Sequence, residues 1–221
     1  MNMLKHLILF AFALSGLCAI ASAQSPDALH AQGYRALNAK EYKQAAALFE
    51  QACAAGLAKS CSNLGVLYQE GKGVEKAPAK AADYFEKSCD AGNEIACDGL
   101  AIAYMQGWGR PQDYAKAAEL SEKACTDNIA DGCTNLGLII MKGQGGRAQD
   151  YAKASELFEK ACNANIDVGC LNLASTWCEG KGRTQDKEQA NVYFKKSCNL
   201  GNKTGCKTRC GGWQFRDLFG G

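Results

Sequence analysis

The stretch that decides the fold runs from Cys61 to Cys89 and reads CSNLGVLYQEGKGVEKAPAKAADYFEKSC. Its two cysteines belong to a larger set of five pairs, each eight residues apart: Cys53/Cys61, Cys89/Cys97, Cys125/Cys133, Cys162/Cys170 and Cys198/Cys206. Successive pairs stand 36, 36, 37 and 36 residues apart. A fixed period of that length marks one supersecondary unit copied along the chain.

Aligned on the first cysteine, an alanine recurs eight residues earlier at Ala45, Ala81, Ala117, Ala154 and Ala190. Three residues on come Leu48, Tyr84, Leu120, Leu157 and Tyr193, with Phe49, Phe85, Phe158 and Phe194 beside four of them. This is an apolar stripe at helical spacing. The steps Glu86-Lys87, Glu122-Lys123 and Glu159-Lys160 fall on the opposite, solvated face. After each second cysteine a further helix carries a leucine (Leu64, Leu100, Leu136, Leu173), a small residue (Gly65, Ala101, Gly137, Ala174) and a bulky one (Tyr68, Tyr104, Ile140, Trp177). That helix ends at Gly71-Lys72-Gly73, Gly107-Trp108-Gly109, Gly143-Gln144-Gly145 or Gly180-Lys181-Gly182, where glycine supplies a positive-φ stop. These turns follow helices and recur as punctuation, which argues against a phosphate cradle.

The unit is a helix, a tight turn spanned by the cysteine pair, a second helix and a glycine turn, and the hairpin brings its two cysteines together. The fold class is all-α, an αα-hairpin solenoid with one disulfide per repeat. Residues 1–23 have the form of a cleaved signal peptide: Lys5 and His6, an apolar run from Leu7 to Ile20, then Ala21-Ser22-Ala23. Leu17 before Cys18 speaks against a lipid-modified cysteine. Beyond the leader twelve cysteines remain, an even number, in a chain bound for an oxidising space, secreted or periplasmic. With one histidine left, His30, and no Cys-x-x-Cys, the sequence offers no metal site and no cofactor motif. Lys5 is the only charged residue in the leader, so the remainder carries 24 basic against 23 acidic side chains. That balance excludes nucleic acid as a partner, and nothing after the leader suggests membrane insertion.

The repeat array spans residues 24–208, opened by a leading helix from Asp27 to Asn38. Residues 209–221 form a capping tail with Trp213, Phe215, Leu218 and Phe219, or else a partner-docking motif. Cys178 and Cys210 are left over on the second helices of consecutive units. They form either a sixth, inter-repeat bridge or two free thiols.

The string from Cys61 to Val74, followed by Lys80 to Cys89, resembles the Sel1-like repeat, a relative of the tetratricopeptide repeat. With a cysteine pair in each unit, the chain resembles the Helicobacter cysteine-rich protein family. The resemblance implies a right-handed superhelix, export, and penicillin binding with weak β-lactamase activity in some members. It also implies contact with peptidoglycan-like fragments or with host or periplasmic proteins.

A hydrolase is hard to assemble from these residues. No serine has lysine three positions on, as a serine β-lactamase requires. Lys203-Thr204-Gly205 spells a lactamase element, but it occupies the turn before Cys206, where other units carry unrelated triplets. A Ser-His-Asp relay must use His30. The catalytic residues are therefore unassigned. A binding scaffold for a peptide, a peptidoglycan-like fragment or a β-lactam is the better-supported function, with a weak β-lactamase as its alternative. Asn63, Asn135 and Asn172 recur at one position of the groove-lining helix, with Gly99 in the remaining unit. Aligned amides can hold a peptide backbone or an acetamido sugar; capping of local backbone groups is the competing role and carries more weight. Trp108 and Tyr104 offer an aromatic contact or ordinary packing.

Overall fold

The computed structural model describes residues 24–211 of the 221-residue chain. The leader assigned to residues 1–23 and residues 212–221 of the tail lie outside the described residues. Eleven helices follow one another: α1 (Pro26–Asn38), α2 (Tyr42–Ala54), α3 (Ala58–Glu70), α4 (Pro78–Asp90), α5 (Glu94–Gln106), α6 (Tyr114–Thr126), α7 (Ala130–Lys142), α8 (Tyr151–Asn163), α9 (Asp167–Glu179), α10 (Lys187–Asn199) and α11 (Lys203–Lys207). Each of α1 to α10 runs 13 residues, and α11 stops after 5. The described residues contain no strand. The result is the all-α hairpin solenoid read from the cysteine period.

Even-numbered helices end in three-residue turns whose central position is left-handed: Gly56, Gly92, Asn128, Asn165 and Gly201. Asparagine tolerates this conformation better than other side chains. Across these turns run the five expected bridges, Cys53–Cys61, Cys89–Cys97, Cys125–Cys133, Cys162–Cys170 and Cys198–Cys206, with Cα atoms 4.4 to 4.8 Å apart. A sixth disulfide joins Cys178 to Cys210, Cα atoms 5.5 Å apart, so of the two roles left open by the sequence the structure has the bridge. Cys210 does not lie on a helix; α11 has already ended at Lys207, and Cys210 sits in a turn. Odd-numbered helices α3 to α9 end on left-handed Gly71, Gly107, Gly143 and Gly180.

The core forms where small residues on odd helices meet large ones on even helices. A Cβ on Gly65 would lie 3.0 Å from the Phe85 ring, one on Gly137 2.6 Å from Phe158, and one on Gly33 2.7 Å from Phe49. Phe49, Phe158 and Phe194 are fully enclosed. Burying such a ring stabilises the fold by about 1.5–3 kcal/mol. The second glycine of each glycine turn has a separate task. A Cβ on Gly73 would stand 2.3 Å from the backbone of Tyr42, and one on Gly109 2.2 Å from that of Pro78. The turn therefore presses on the first residue of the preceding even helix and sets the stacking distance between units.

The Glu-Lys steps are more than a solvated face. Lys87, Lys160 and Lys196 donate to the carbonyls of Cys53, Cys125 and Cys162 in the preceding unit, where free carbonyls at a helix C-terminus favour a cation. Glu86, Glu122 and Glu159 each pair with an arginine from the following glycine turn: Arg110, Arg147 and Arg183. The face is solvated, as expected, and the period additionally brings an arginine from the next unit onto each of these glutamates.

Candidate functional site

Helices α5, α7 and α9 touch one another directly, whereas the even-numbered helices are held apart. The odd helices thus take the shorter, inner arc and line the concave face. The odd helices carry exposed large apolar side chains at Val66, Ile95 (65% exposed) and Val168.

The face deepens between α7 and α9 into a groove of about 500 Å³, lined by Leu138, Met141, Val168, Leu171, Asn172 and Thr204. Of the three asparagines, Asn172 lies in this groove, and its side-chain nitrogen is buried with no hydrogen-bond partner among the described residues. Asn135 donates to Asp98 Oδ1 at 2.8 Å, from α7 to α5. Asn63 is half-buried on α3. Asn135 does not cap a local backbone group, since its partner is a carboxylate on the neighbouring odd helix. In the second unit the position is Gly99, where a Cβ would come tight against the Phe85 ring at 3.2 Å.

Cys133 and Cys170 stand on the same two groove-lining helices, α7 and α9, yet neither belongs to the ligand surface. Both are wholly buried, bridged to Cys125 and Cys162 at the ends of α6 and α8. Their sulfurs brace the groove from behind and are closed to a ligand or an attacking thiol. The cysteines singled out by the sequence are therefore structural staples, apart from the binding face.

Sequence reasoning missed Asp98. It is 9% exposed, and burial pushes its carboxyl up to about 6, with the Asn135 hydrogen bond opposing and the Asp131 carboxylate adding to the rise. The register that holds it reads Ser62, Asp98, Thr134 and Leu171. One acid among uncharged residues was the only available signal.

The relay through His30 comes closest to a catalytic constellation. His30 Nδ1 lies 2.9 Å from Ser60 Oγ. Ser60, however, is completely buried between helices, and Asp27 binds Lys59 at 2.8 Å. Burial, then the Lys59 charge, lowers the His30 pKa. The pair joins α1 to α3 with no room for a substrate at the hydroxyl. In Lys203-Thr204-Gly205, Asn202 caps α11 by accepting from the Thr204 and Gly205 amides, and Gly205 packs on Ser197. Trp108 meets Phe85 edge-on and Tyr104 is buried, so both aromatics are packing residues. All twelve cysteines in the described residues are bridged, which leaves no thiol there for exchange chemistry.

Compared with known proteins, the sequence matches the Sel1 repeat family over residues 36–57, 58–93, 95–128, 130–166 and 168–202. The boundaries between successive matches fall at the cysteine turns. The disulfides Cys53–Cys61, Cys89–Cys97, Cys125–Cys133 and Cys162–Cys170 therefore each join the last helix of one family repeat to the first helix of the next. A stretch of 72 residues, 33% of the chain, is 42% identical to HcpC of Helicobacter pylori, a protein named as a candidate β-lactamase, and takes in 24% of that protein. The fold is similar to c5321, a protective antigen of uropathogenic Escherichia coli strains, with 29% identity and a TM-score of 0.71 over 81% of this chain and 39% of the antigen. It is also similar to a Sel1 repeat protein from Oxalobacter formigenes, with 23% identity and a TM-score of 0.77 over 83% of this chain and 74% of that one. This chain thus spans well under half of the E. coli antigen, and the matched stretch about a quarter of HcpC.

Proposed function

The chain belongs to the Sel1 repeat family, and from that premise we propose that it is an exported interaction scaffold whose concave groove binds an extended, amide-bearing chain. The ligand is a segment of protein or the stem peptide of a peptidoglycan-like fragment. The observation that carries this reading is the groove between α7 and α9. It is apolar along Leu138, Met141, Val168 and Leu171, and holds one buried, unpartnered amide nitrogen at Asn172. A buried donor without a partner costs about 1–3 kcal/mol, and a ligand carbonyl placed there recovers it. Side chains on one edge of an extended ligand then cover the exposed apolar residues.

Export is supported by the leader-like residues 1–23 and by six disulfides, which persist in oxidising compartments. No described helix is long and apolar enough to cross a membrane. The name of HcpC raises β-lactam hydrolysis, but the Ser-His contact in this chain is sealed. Ser175 lines the groove, and its hydroxyl donates to the Leu171 carbonyl with no base in contact with it. We therefore favour binding without turnover.

The test is a peptide display library panned on the oxidised protein, with muropeptides and β-lactams compared by thermal shift. Selected ligands should lose at least ten-fold in affinity to Val168→Glu and Asn172→Ala, and should be indifferent to Glu119→Ala on an even helix. Ligands that ignore both groove variants, or nitrocefin turnover that survives repurification, would overturn the proposal.

A further inference from the structure

Two residues before each second cysteine, the odd helices from α3 to α11 carry Lys59, Ile95, Asp131, Val168 and Thr204. Val168 and Thr204 line the groove beside α7 and α9, so this register belongs to the groove side. Lys59 is held by Asp27 at 2.8 Å. On the three neighbouring helices α5, α7 and α9 the register then reads apolar, acidic, apolar: Ile95, Asp131 and Val168, all exposed.

The two residues that follow each second cysteine lie about one turn further along these helices. Between α5 and α7 they bring Asp98 and Asn135 together. The amide donates to Asp98 Oδ1, and Oδ2 accepts no hydrogen bond among the described residues. Asp131, four residues before Asn135, stands on the same side of α7. Burial and then the like charge of Asp131 disfavour the Asp98 anion. No lysine or arginine pairs with either acid among the described residues. Lys142 is on α7 too, but eleven residues from Asp131, about 16 Å along the helix. Negative charge held out of water without a counter-charge is costly, and a ligand cation placed there removes the cost.

One repeat on, the positions of Asp98 and Asn135 are taken by Thr134 on α7 and Asn172 on α9. Here the bond between helices is not made. A threonine hydroxyl reaches one bond less far than a carboxylate oxygen, and both Thr134 Oγ1 and the Asn172 side-chain nitrogen are buried without a partner. Thr134 is only 4% exposed. It shares one face of α7 with Asp131 and with Leu138, which lines the groove. A buried acceptor and a buried donor thus stand unsatisfied beside the acidic pair, and the N–H and C=O of a peptide chain are their complement.

We propose that the groove's ligand is a protein segment in which one basic side chain, lysine or arginine, stands between apolar ones. Its cationic head sits on Asp98 and Asp131, and its apolar neighbours lie on Ile95 and Val168. This rests on the groove reading above and adds the class of ligand. Packed helices stand about 8–10 Å apart and an extended chain rises about 3.3 Å per residue, so basic and apolar side chains fall about two to four residues apart.

Panning a random peptide library on the oxidised protein tests this. Selected peptides should carry lysine or arginine at one fixed position with apolar residues on both sides. Replacing that residue by norleucine should cost at least ten-fold in affinity. The paired change Asp98→Asn and Asp131→Asn should cost the basic peptide the same factor and leave the norleucine peptide unchanged. Both changes keep the fold, since Asp131 is exposed and an asparagine at 98 still offers Asn135 an oxygen. Asp131→Lys should turn the preference to aspartate or glutamate. Peptides that lose affinity to Val168→Glu yet show no basic preference, or that ignore the paired change, overturn this proposal and leave the groove reading standing. Muropeptides that bind where no library peptide does assign the acids to a stem-peptide amine and also overturn it. Peptides indifferent to Val168→Glu and Asn172→Ala, or binding of neither peptides nor muropeptides, overturn both readings.

Discussion

In the turn between α4 and α5, a Cβ added to Gly92 would meet nothing within 4 Å, and the two helices are clasped by Cys89–Cys97. In the turn between α5 and α6, a Cβ on Gly109 would stand 2.2 Å from the backbone of Pro78, and no disulfide spans the turn. The two kinds of turn alternate along the chain. Cysteine turns are sterically loose and covalently closed. Glycine turns are covalently open and closed by fit, with an arginine pair such as Arg110–Glu86 at the margin. Four of the six covalent closures fall on the boundaries between family repeats, where a solenoid depends on nearest-neighbour interfaces for its stability. The disulfides therefore lock the weakest joints of the architecture, and steric fit sets the geometry within each repeat.

Reduction should have the largest effect on this division. Chain-entropy reasoning gives each eight-residue closure about 2.5 kcal/mol and the longer Cys178–Cys210 loop about 3.5 kcal/mol, so their sum exceeds ordinary domain stability of about 5–15 kcal/mol or sits at its upper end. Denaturant titration followed by circular dichroism should find the reduced chain largely unfolded without denaturant. Coincident midpoints with and without reductant would break the comparison. Next comes Gly109→Ala, which forces backbone to move and should cost about 2–4 kcal/mol. Gly92→Ala bears only the left-handed backbone penalty of about 1–2 kcal/mol. Equal losses at the two sites in thermal melts would show that the turns do not differ as described.

Asp98 sharpens the contrast on the concave side. Its folded carboxyl keeps the proton to about pH 6, against 3.8 for an ordinary aspartate. The folded state therefore binds more protons between those values, and stability falls as pH rises from about 4 through 6. Asp98→Asn should remove that slope and add about 2 kcal/mol at pH 7; an unchanged pH profile would contradict the burial assigned to this group. The smallest effect belongs to Asn128→Gly in the third cysteine turn, where φ is 65°. Relief of the left-handed side chain there should gain less than about 1 kcal/mol.

The cysteine period carried the helices, their order and five of the six bridges, because a repeat states the same physical constraint several times. The lysine caps and the arginine pairs were hidden. Lys87 and Glu86 act on partners 34 and 24 residues away, and a single unit read in isolation looks merely charged. Asp98 was hidden for the opposite reason: it occurs once, as the only acid at its register. Asn172 was picked out because it recurs, yet the shared position did not give the asparagines a shared role. Asn135 is engaged by Asp98, while the Asn172 amide nitrogen is unpartnered.

Mass mapping of the native, unreduced protein tests the central claim most directly. The account predicts no free thiol in residues 24–221, five linked peptide pairs joining each cysteine to the one eight residues away, and a sixth joining Cys178 to Cys210. Free thiols at the paired positions, or bridges between cysteines of distant units, would contradict it.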